Sequence, residues 1–245
     1  MTERYDFPYS TLLLADYADP KPHKHLASHL MISLGDEMEW RIGEDNVKAK
    51  GIAIASNIMH TGQTGQERTM VFLFAVVGIY GKCLERDFLK GKSYAILPDD
   101  LVERAIRAYH EQQEEQRSNL PERILSCLGI EGTEEEIYEP RVQQIIQMIG
   151  AKETIESDIV EEISKQVCLS KSRLSHLFRK ETGMTLHSFL AFEKLVKTNV
   201  YLKQGLNITE SCMKAGFDSP SHCAATSQKM FGIALREVYK TIATK

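Results

Sequence analysis

The stretch LSKSRLSHLFRKETGMTLHSFL, residues 169–190, is where the fold of this chain can be read. Ser170 is a helix N-cap residue type, because its hydroxyl can accept a backbone N–H of the first turn. Behind it, Leu174, Leu177 and Phe178 fall at i, i+3 and i+4, which puts three apolar side chains on one helical face. Gly183 supplies the residue that ends such a helix in a left-handed conformation. The remaining positions, Lys171, Ser172, Arg173, Ser175, His176, Arg179 and Lys180, face outward; all hydrogen-bond and most are basic. Upstream, Ser157 is the expected cap of another helix, with Val160, Ile163 and Val167 at i, i+3 and i+7. Cys168 and Leu169 leave only a tight turn between the two helices. The pattern predicts a helix-turn-helix with a basic outer face.

The same plan returns about fifty residues later. Asn207 and Glu210 have the spacing of a capping box. Ile208, Cys212 and Ala215 line an inner face, and Gly216 suits a left-handed turn. Phe217 plugs the core, Ser219 caps, and Pro220 sits in the first turn of a helix that breaks at Phe231-Gly232. Between the units, a helix from about Thr185 to Gln204 is expected, with Leu186, Phe189, Leu190, Leu195, Val196 and Leu202 as its apolar positions. Nineteen or so residues span roughly 28 Å. That is of the order of the ~34 Å between major-groove faces one turn apart.

The motif Leu174-Ser175-x-Leu177-Phe178-x-Lys180-x-Thr182-Gly183, followed by Ile208…Ala215-Gly216-Phe217-x-Ser219 and Phe231-Gly232, resembles the DNA-binding domain of the arabinose-regulator (AraC/XylS) family over residues 140–240. One helix-turn-helix pattern is weak evidence, but two at this spacing and punctuation are specific. The resemblance implies base contacts from Ser172, Arg173, Ser175 and His176 in the first unit and from Ser221 and His222 in the second. It implies phosphate contacts from Arg179, Lys180 and Lys229, with Lys171 open to either role. The chain also departs from the family. Cys168 stands where the family has its turn glycine. The family's F-S-R-x-F is replaced at Cys223, Ala224, Ala225 and Ser227, which removes an arginine at Ala225 and a core aromatic at Ser227. A bidentate arginine–guanine contact is worth about 1–3 kcal/mol of discrimination. The first unit is therefore expected to dominate sequence reading, with the second mainly positioning the protein on phosphate.

Charge divides the chain in the same place. Residues 1–140 carry 15 Lys and Arg against 24 Asp and Glu, a net of −9, whereas residues 141–245 carry 15 against 10, a net of +5. Only the back half is suited to meet phosphate. The 42% hydrophobic and 26% charged composition is that of an ordinary globular protein with room for two domains in 245 residues. The opening residues 1–8 hold no apolar run, so no secretory leader is expected, and no stretch is long enough to span a bilayer. The five cysteines, Cys83, Cys127, Cys168, Cys212 and Cys223, are odd in number and scattered, which fits a reduced cytoplasmic setting.

The first hundred residues read as strands and turns. Apolar runs at residues 11–15, 29–34, 38–42, 51–55 and 70–77 alternate with turn chemistry, the pattern of an antiparallel sandwich or small barrel. Pro98-Asp99-Asp100 opens a helix expected to reach about residue 117, with Leu101, Ile106 and Tyr109 as its stripe; a short helix follows near residues 122–128. Residues 131–139, EGTEEEIYE, closed by Pro140, read as a linker.

His23, His25, His29 and His60 form the other constellation. An HxH early in a small barrel with a later third histidine resembles a cupin metal site. Here, however, His29 stands near the usual glutamate, and residues 53–60 lack the usual proline and glycine. Sensor domains of arabinose-regulator proteins are commonly cupin-like, and many retain histidines without a metal. The expectation is therefore no metal and no cofactor, with His25, His29, Trp40 and His60 lining a site for a small organic effector; simple core or surface roles for these residues stay open.

Enzymatic motifs fail. Gly91-Lys92-Ser93 ends like a phosphate loop, but Arg86 occupies the required upstream glycine, and there is no G-x-S-x-G, H-E-x-x-H or G-x-G-x-x-G.

The resulting expectation is an α+β chain whose mostly-β, cupin-like N-terminal barrel precedes an all-α domain with two helix-turn-helix units joined by a long helix. The barrel spans 1–97, a helical dimerisation or connector segment 98–130, the linker 131–140 and the DNA-binding domain 141–245. The protein is read as a non-enzymatic, cytoplasmic activator-type regulator and homodimer, with double-stranded DNA, RNA polymerase and a small-molecule effector as partners and no membrane. A metal-dependent cupin enzyme with an appended α-domain and a protein–protein adaptor are the alternatives.

Overall fold

The computed structural model describes residues 3–16, 22–63, 68–111, 119–131, 138–231 and 234–236. The chain forms two compact units, Met1–Thr133 and Glu134–Lys245. Most of the acidic segment read as a linker, residues 132–137, lies outside the described residues, as does the stretch 112–118 expected to continue the helix begun at Asp99.

Unit one is built on two antiparallel sheets. One contains β1 (Glu3–Phe7), β2 (Ser10–Asp16), β8 (Arg68–Phe74), β3 (Ser28–Ser33), β6 (Gly51–Ile54) and β9 (Tyr94–Ile96), in that spatial order. The other contains β5 (Asp45–Ala49), β4 (Met38–Ile42) and β7 (His60–Gln63). β3 is buried at every position, so it is covered on both faces. Side chains alternate across a strand. Leu30 and Ile32 of β3, with Met70, Phe72 and Phe74 of β8, share a core with Leu84, Val102, Ile106, Leu120, Ile124 and Leu125. Thr69, on the opposite face of β8, reaches the sulfur of Met38 on β4. The six-stranded sheet is therefore a middle layer, with helices on one face and the small sheet closing the other. The first half is a mostly-β, cupin-like fold.

The helical layer revises two sequence expectations. The first hundred residues are not strands and turns alone, because α1 (Ile79–Leu84) continues into a π-helical turn at Glu85–Leu89. In α2 (Asp99–His110) the buried residues are Val102, Ala105, Ile106 and Ala108, with Leu101 and Tyr109 only partly covered. The short helix α3 begins at Leu120 and ends at Cys127, with Pro121 in its first turn.

Unit two is helical: α4 (Pro140–Gly150), α5 (Ile159–Gln166), α6 (Lys171–Thr182), α7 (Leu186–Lys203), α8 (Ile208–Lys214) and α9 (Pro220–Phe231). The residue preceding α5 is Asp158 rather than the expected Ser157, and no side-chain cap is made there. The caps expected at Ser170 and Asn207 are made, and Thr185 adds one not expected from the sequence. The Ser170 hydroxyl accepts from the Arg173 N–H at 3.3 Å, Thr185 accepts from Ser188 at 3.1 Å, and Asn207 and Glu210 close a full capping box.

α7 is the strut of this unit. Its 18 residues span about 27 Å. The Lys197 ammonium donates to the carbonyl of Gly150 at 3.0 Å, and Lys194 donates to the carbonyl of Gly216. A cation at a helix C-terminus satisfies an orphan carbonyl and opposes the negative end of the helix dipole. The Tyr201 hydroxyl donates to Glu153 and Thr154 donates to Lys214, so the segment after α4 is tied to both α7 and the turn after α8.

Candidate functional site

α6 carries the first outward face. Leu174 and Phe178 are fully buried and Leu177 half-buried, which orients the rest of the helix. Lys171, Ser172, Arg173, Ser175, His176, Arg179 and Lys180 are all exposed. Lys171 pairs with Glu161 of α5 at 3.1 Å, and Lys165 pairs with the same carboxylate at 2.9 Å. The Lys165 and Lys171 ammonium groups together hold the Glu161 carboxyl, in the first turn of α5, below its ordinary range. The turn itself is made by Cys168, an exposed residue at φ +53°. A side chain there sits in backbone territory that glycine occupies at no cost.

α9 carries the second face. Ser221, His222, Ala224, Ala225, Gln228 and Lys229 are exposed, and Cys223, Thr226, Ser227 and Met230 are buried. The helix is capped by the Ser219 hydroxyl, which accepts from the His222 N–H at 3.2 Å. The His222 ring stands 3.3 Å from Asp218 and edge-on to Phe217. Gly216, at φ +96°, makes the turn before it, and a Cβ there would lie 2.3 Å from the carbonyl oxygen of Ile155. The nine residues expected to meet DNA thus all sit exposed on α6 and α9. The lysines Lys194 and Lys197, which the sequence left unremarked, act inside the unit.

In unit one, three of the four candidate effector residues come together. His25, His29 and His60 are each at most 3% exposed. Ring centroids lie 4.3 Å apart for His25–His29, 4.7 Å for His29–His60 and 5.4 Å for His25–His60. His23, absent from the expected site, joins them at 4.6 Å from His60 and 5.5 Å from His25. The backbone brings it there: the His23 N–H donates to His60 at 3.0 Å and the His60 N–H returns to His23 at 2.9 Å. The spacing H-x-H was the signal for His23; its pairing with a strand 37 residues on was not. Trp40 is also buried, but its ring covers Gly62, where a Cβ would fall 2.4 Å from it.

Burial favours the uncharged form of His25, His29 and His60. Desolvation, then repulsion from His60 and His23, lowers His25 to about 3, against a weaker opposing contact with the Ala27 backbone. Burial first, then the neighbouring rings, holds His29 well below the ordinary histidine range. His60 is lowered by burial too, although its Nδ1 bonds the carbonyl of Ile58 at 2.8 Å.

Residues 163–241 match a family model described as a helix-turn-helix domain. Among solved structures, the chain is similar to ToxT of Vibrio cholerae. An apo lysine-to-alanine variant aligns at TM-score 0.59 with 9% identity, covering 98% of this chain and 100% of that one. A second ToxT structure aligns at 0.55 and 9%, covering 100% and 98%. A third, bound to (E)-4-(8-methylnaphthalen-1-yl)but-3-enoic acid, aligns at 0.53 and 9%, covering 99% and 98%. At such identity the likeness speaks to the fold alone, and it extends over both units. No curated protein sequence matches the chain. The helical unit therefore carries a helix-turn-helix domain.

Its motifs resemble those of the arabinose-regulator (AraC/XylS) family. Its departures from the family pattern now have places. Cys168 fills the positive-φ turn position, Ala225 leaves the outer face of α9 without a guanidinium, and Ser227 sits 3% exposed where an aromatic would pack. The loop remnant Gly91-Lys92-Ser93 offers no phosphate cradle, because the Gly91 N–H is already taken by the Glu85 carboxylate at 2.9 Å. Among the described residues, no helix is long and apolar enough to cross a membrane.

Proposed function

We propose that this protein is a DNA-binding transcription regulator that recognises a defined duplex site, with α6 supplying most of the base discrimination. The observation that carries this reading is the contrast between the two exposed faces. α6 presents Ser172, Arg173, Ser175 and His176 toward base edges, flanked by Arg179 and Lys180 for phosphate. α9 presents Ser221 and His222, then alanines at 224 and 225, and Lys229. Arginine reads guanine through two hydrogen bonds in fixed geometry, which alanine has no means of replacing.

The barrel, residues 1–97, is proposed as the sensor, with His25, His29, Trp40 and His60 as the lining of its effector site. The solved ToxT bound to a small organic acid supports a ligand-responsive barrel on this fold. Residues 98–130 serve as connector and dimer contact. Because the apolar side of α2 is used within unit one, a homodimer formed there would pair the outward charges of Asp100, Glu103, Arg104 and Arg107. The protein acts without catalysis in the cytoplasm, with RNA polymerase as its downstream partner.

Selection from a random duplex pool at near-physiological salt tests the reading, followed by affinity against salt for the enriched site. The expected result is one enriched motif, a steep salt slope, and base preferences concentrated in the half contacted by α6. Equal sensitivity to base substitution in both half-turns would overturn the unequal division of labour. Binding without sequence preference would favour an adaptor.

A further inference from the structure

We propose that the effector of the barrel is a divalent transition-metal ion held by His23, His25 and His60. This deepens the regulator reading above and rests on it for the word effector. It also reverses the sequence expectation that the site holds no metal.

The donor set is in place. His23, His25 and His60 each offer one ring nitrogen, and these three atoms lie within 4.8 Å of one another. Nitrogens sharing a tetrahedral ion with bonds of about 2.0–2.1 Å stand roughly 3.4 Å apart, so a small inward turn of the rings closes the set. The tautomer of His60 is also set: Nδ1 donates to the carbonyl of Ile58 at 2.8 Å, which leaves the lone pair on Nε2. That Nε2 is buried and has no hydrogen-bond partner. A backbone carbonyl that orients one imidazole nitrogen while the other is left bare is the arrangement found behind metal-binding histidines. An orphaned buried lone pair in a purely structural cluster would instead be a standing cost.

Size argues the same way. Rings with centroids 4.3–5.5 Å apart are in contact, and an ion shared by their nitrogens needs no cavity of organic-ligand size. An all-nitrogen set favours cobalt, nickel, copper or zinc over magnesium or calcium. His29, packed against His25 and His60 with its Nδ1 unpartnered, stands outside the triad as a positioning residue. Three ligands leave a coordination position for water or a small anion. The ion would staple the segment carrying His23 and His25 to β7.

The test is titration of the full chain, stripped with chelator, with Co(II) followed by visible absorption, alongside affinity for the selected DNA site with and without the metal. The expected result is one equivalent taken up with d–d bands and no thiolate charge-transfer band, and a shift in DNA affinity of about tenfold. The variants H25Q and H60Q, checked for folding by circular dichroism, should lose uptake; H29Q should weaken it less. Absence of stoichiometric uptake by the unmodified chain, a thiolate band from the cysteines, or undiminished uptake by folded H25Q and H60Q overturns the site. Uptake with no change in DNA affinity overturns the effector role. Failure to select any DNA site, with or without cobalt, overturns the regulator reading and leaves the metal site standing.

Discussion

The two helix-turn-helix units share a plan and differ in nearly every group that a partner would meet. In the first, α5 lacks a side-chain cap, the turn is made by exposed Cys168 at φ +53°, and the outer face of α6 is rich in cations. In the second, α8 has a full capping box, and Gly216 makes the turn under the carbonyl of Ile155. The outer face of α9 holds alanines where a reader would need reach. The second unit is the better tied to its surroundings and the poorer in contact chemistry. Shape and reading are thus separable: buried apolar positions and caps maintain the motif, while exposed positions are free to lose the residues that discriminate bases.

The contrast can be broken most severely at the turns. Gly216→Ala places a Cβ 2.3 Å from a backbone oxygen at a positive φ, and should cost about 2–4 kcal/mol. Chemical denaturation followed by far-UV circular dichroism reads it, and a near-neutral result would mean that the two turns are equivalent. For the reading faces, Arg173→Ala should weaken the selected site by about 10–100-fold, corresponding to roughly 1–3 kcal/mol. Ser221→Ala on α9 should change it less than about threefold, one exposed neutral contact being worth about 0.5 kcal/mol, the low end of the usual range. Titration of labelled duplex at fixed salt compares them, and a larger effect at Ser221 would invert the assignment.

Smaller effects sharpen the same comparison. Asn207→Ala should destabilise the helical unit by about 1 kcal/mol, whereas Asp158→Ala, which removes no cap hydrogen bond, should stay within about 0.5 kcal/mol. Parallel urea midpoints decide between them. Cys168→Gly should stabilise the first turn by up to about 1 kcal/mol, since glycine adopts the left-handed conformation without strain. A lowered midpoint there would show that the thiol side chain has a packing role.

Local chemistry in the sequence was enough for much of this. The caps at Ser170, Asn207 and Ser219, the positive-φ turns at Gly183 and Gly216, and the inward faces of α6 and α8 all rest on contacts within a few residues, where spacing and residue type suffice. The outward row of α6 followed from the same periodicity, whereas the DNA contacts proposed on α6 and α9 came from the family resemblance; what the structure adds is that all nine residues are exposed. The cap of α5 was misread by one residue because Ser157 and Asp158 are both good cap types and no hydrogen bond selects either.

Position along the chain determined the order of the two folds, the helical identity of the second half and the residues that its helices expose. Only the tertiary structure decided what depends on residues far apart in sequence. It brought His23 to His60 through a backbone pair between distant segments, and it set α1–α3 against the six-stranded sheet. It also turned Lys194, Lys197 and Tyr201 inward to the carbonyls of Gly216, Gly150 and Glu153. The physical reason is the same in each case. A periodic pattern states which face of an element is apolar, but the burial that neutralises a histidine, or the carbonyl that a lysine satisfies, belongs to whichever element the fold lays against it.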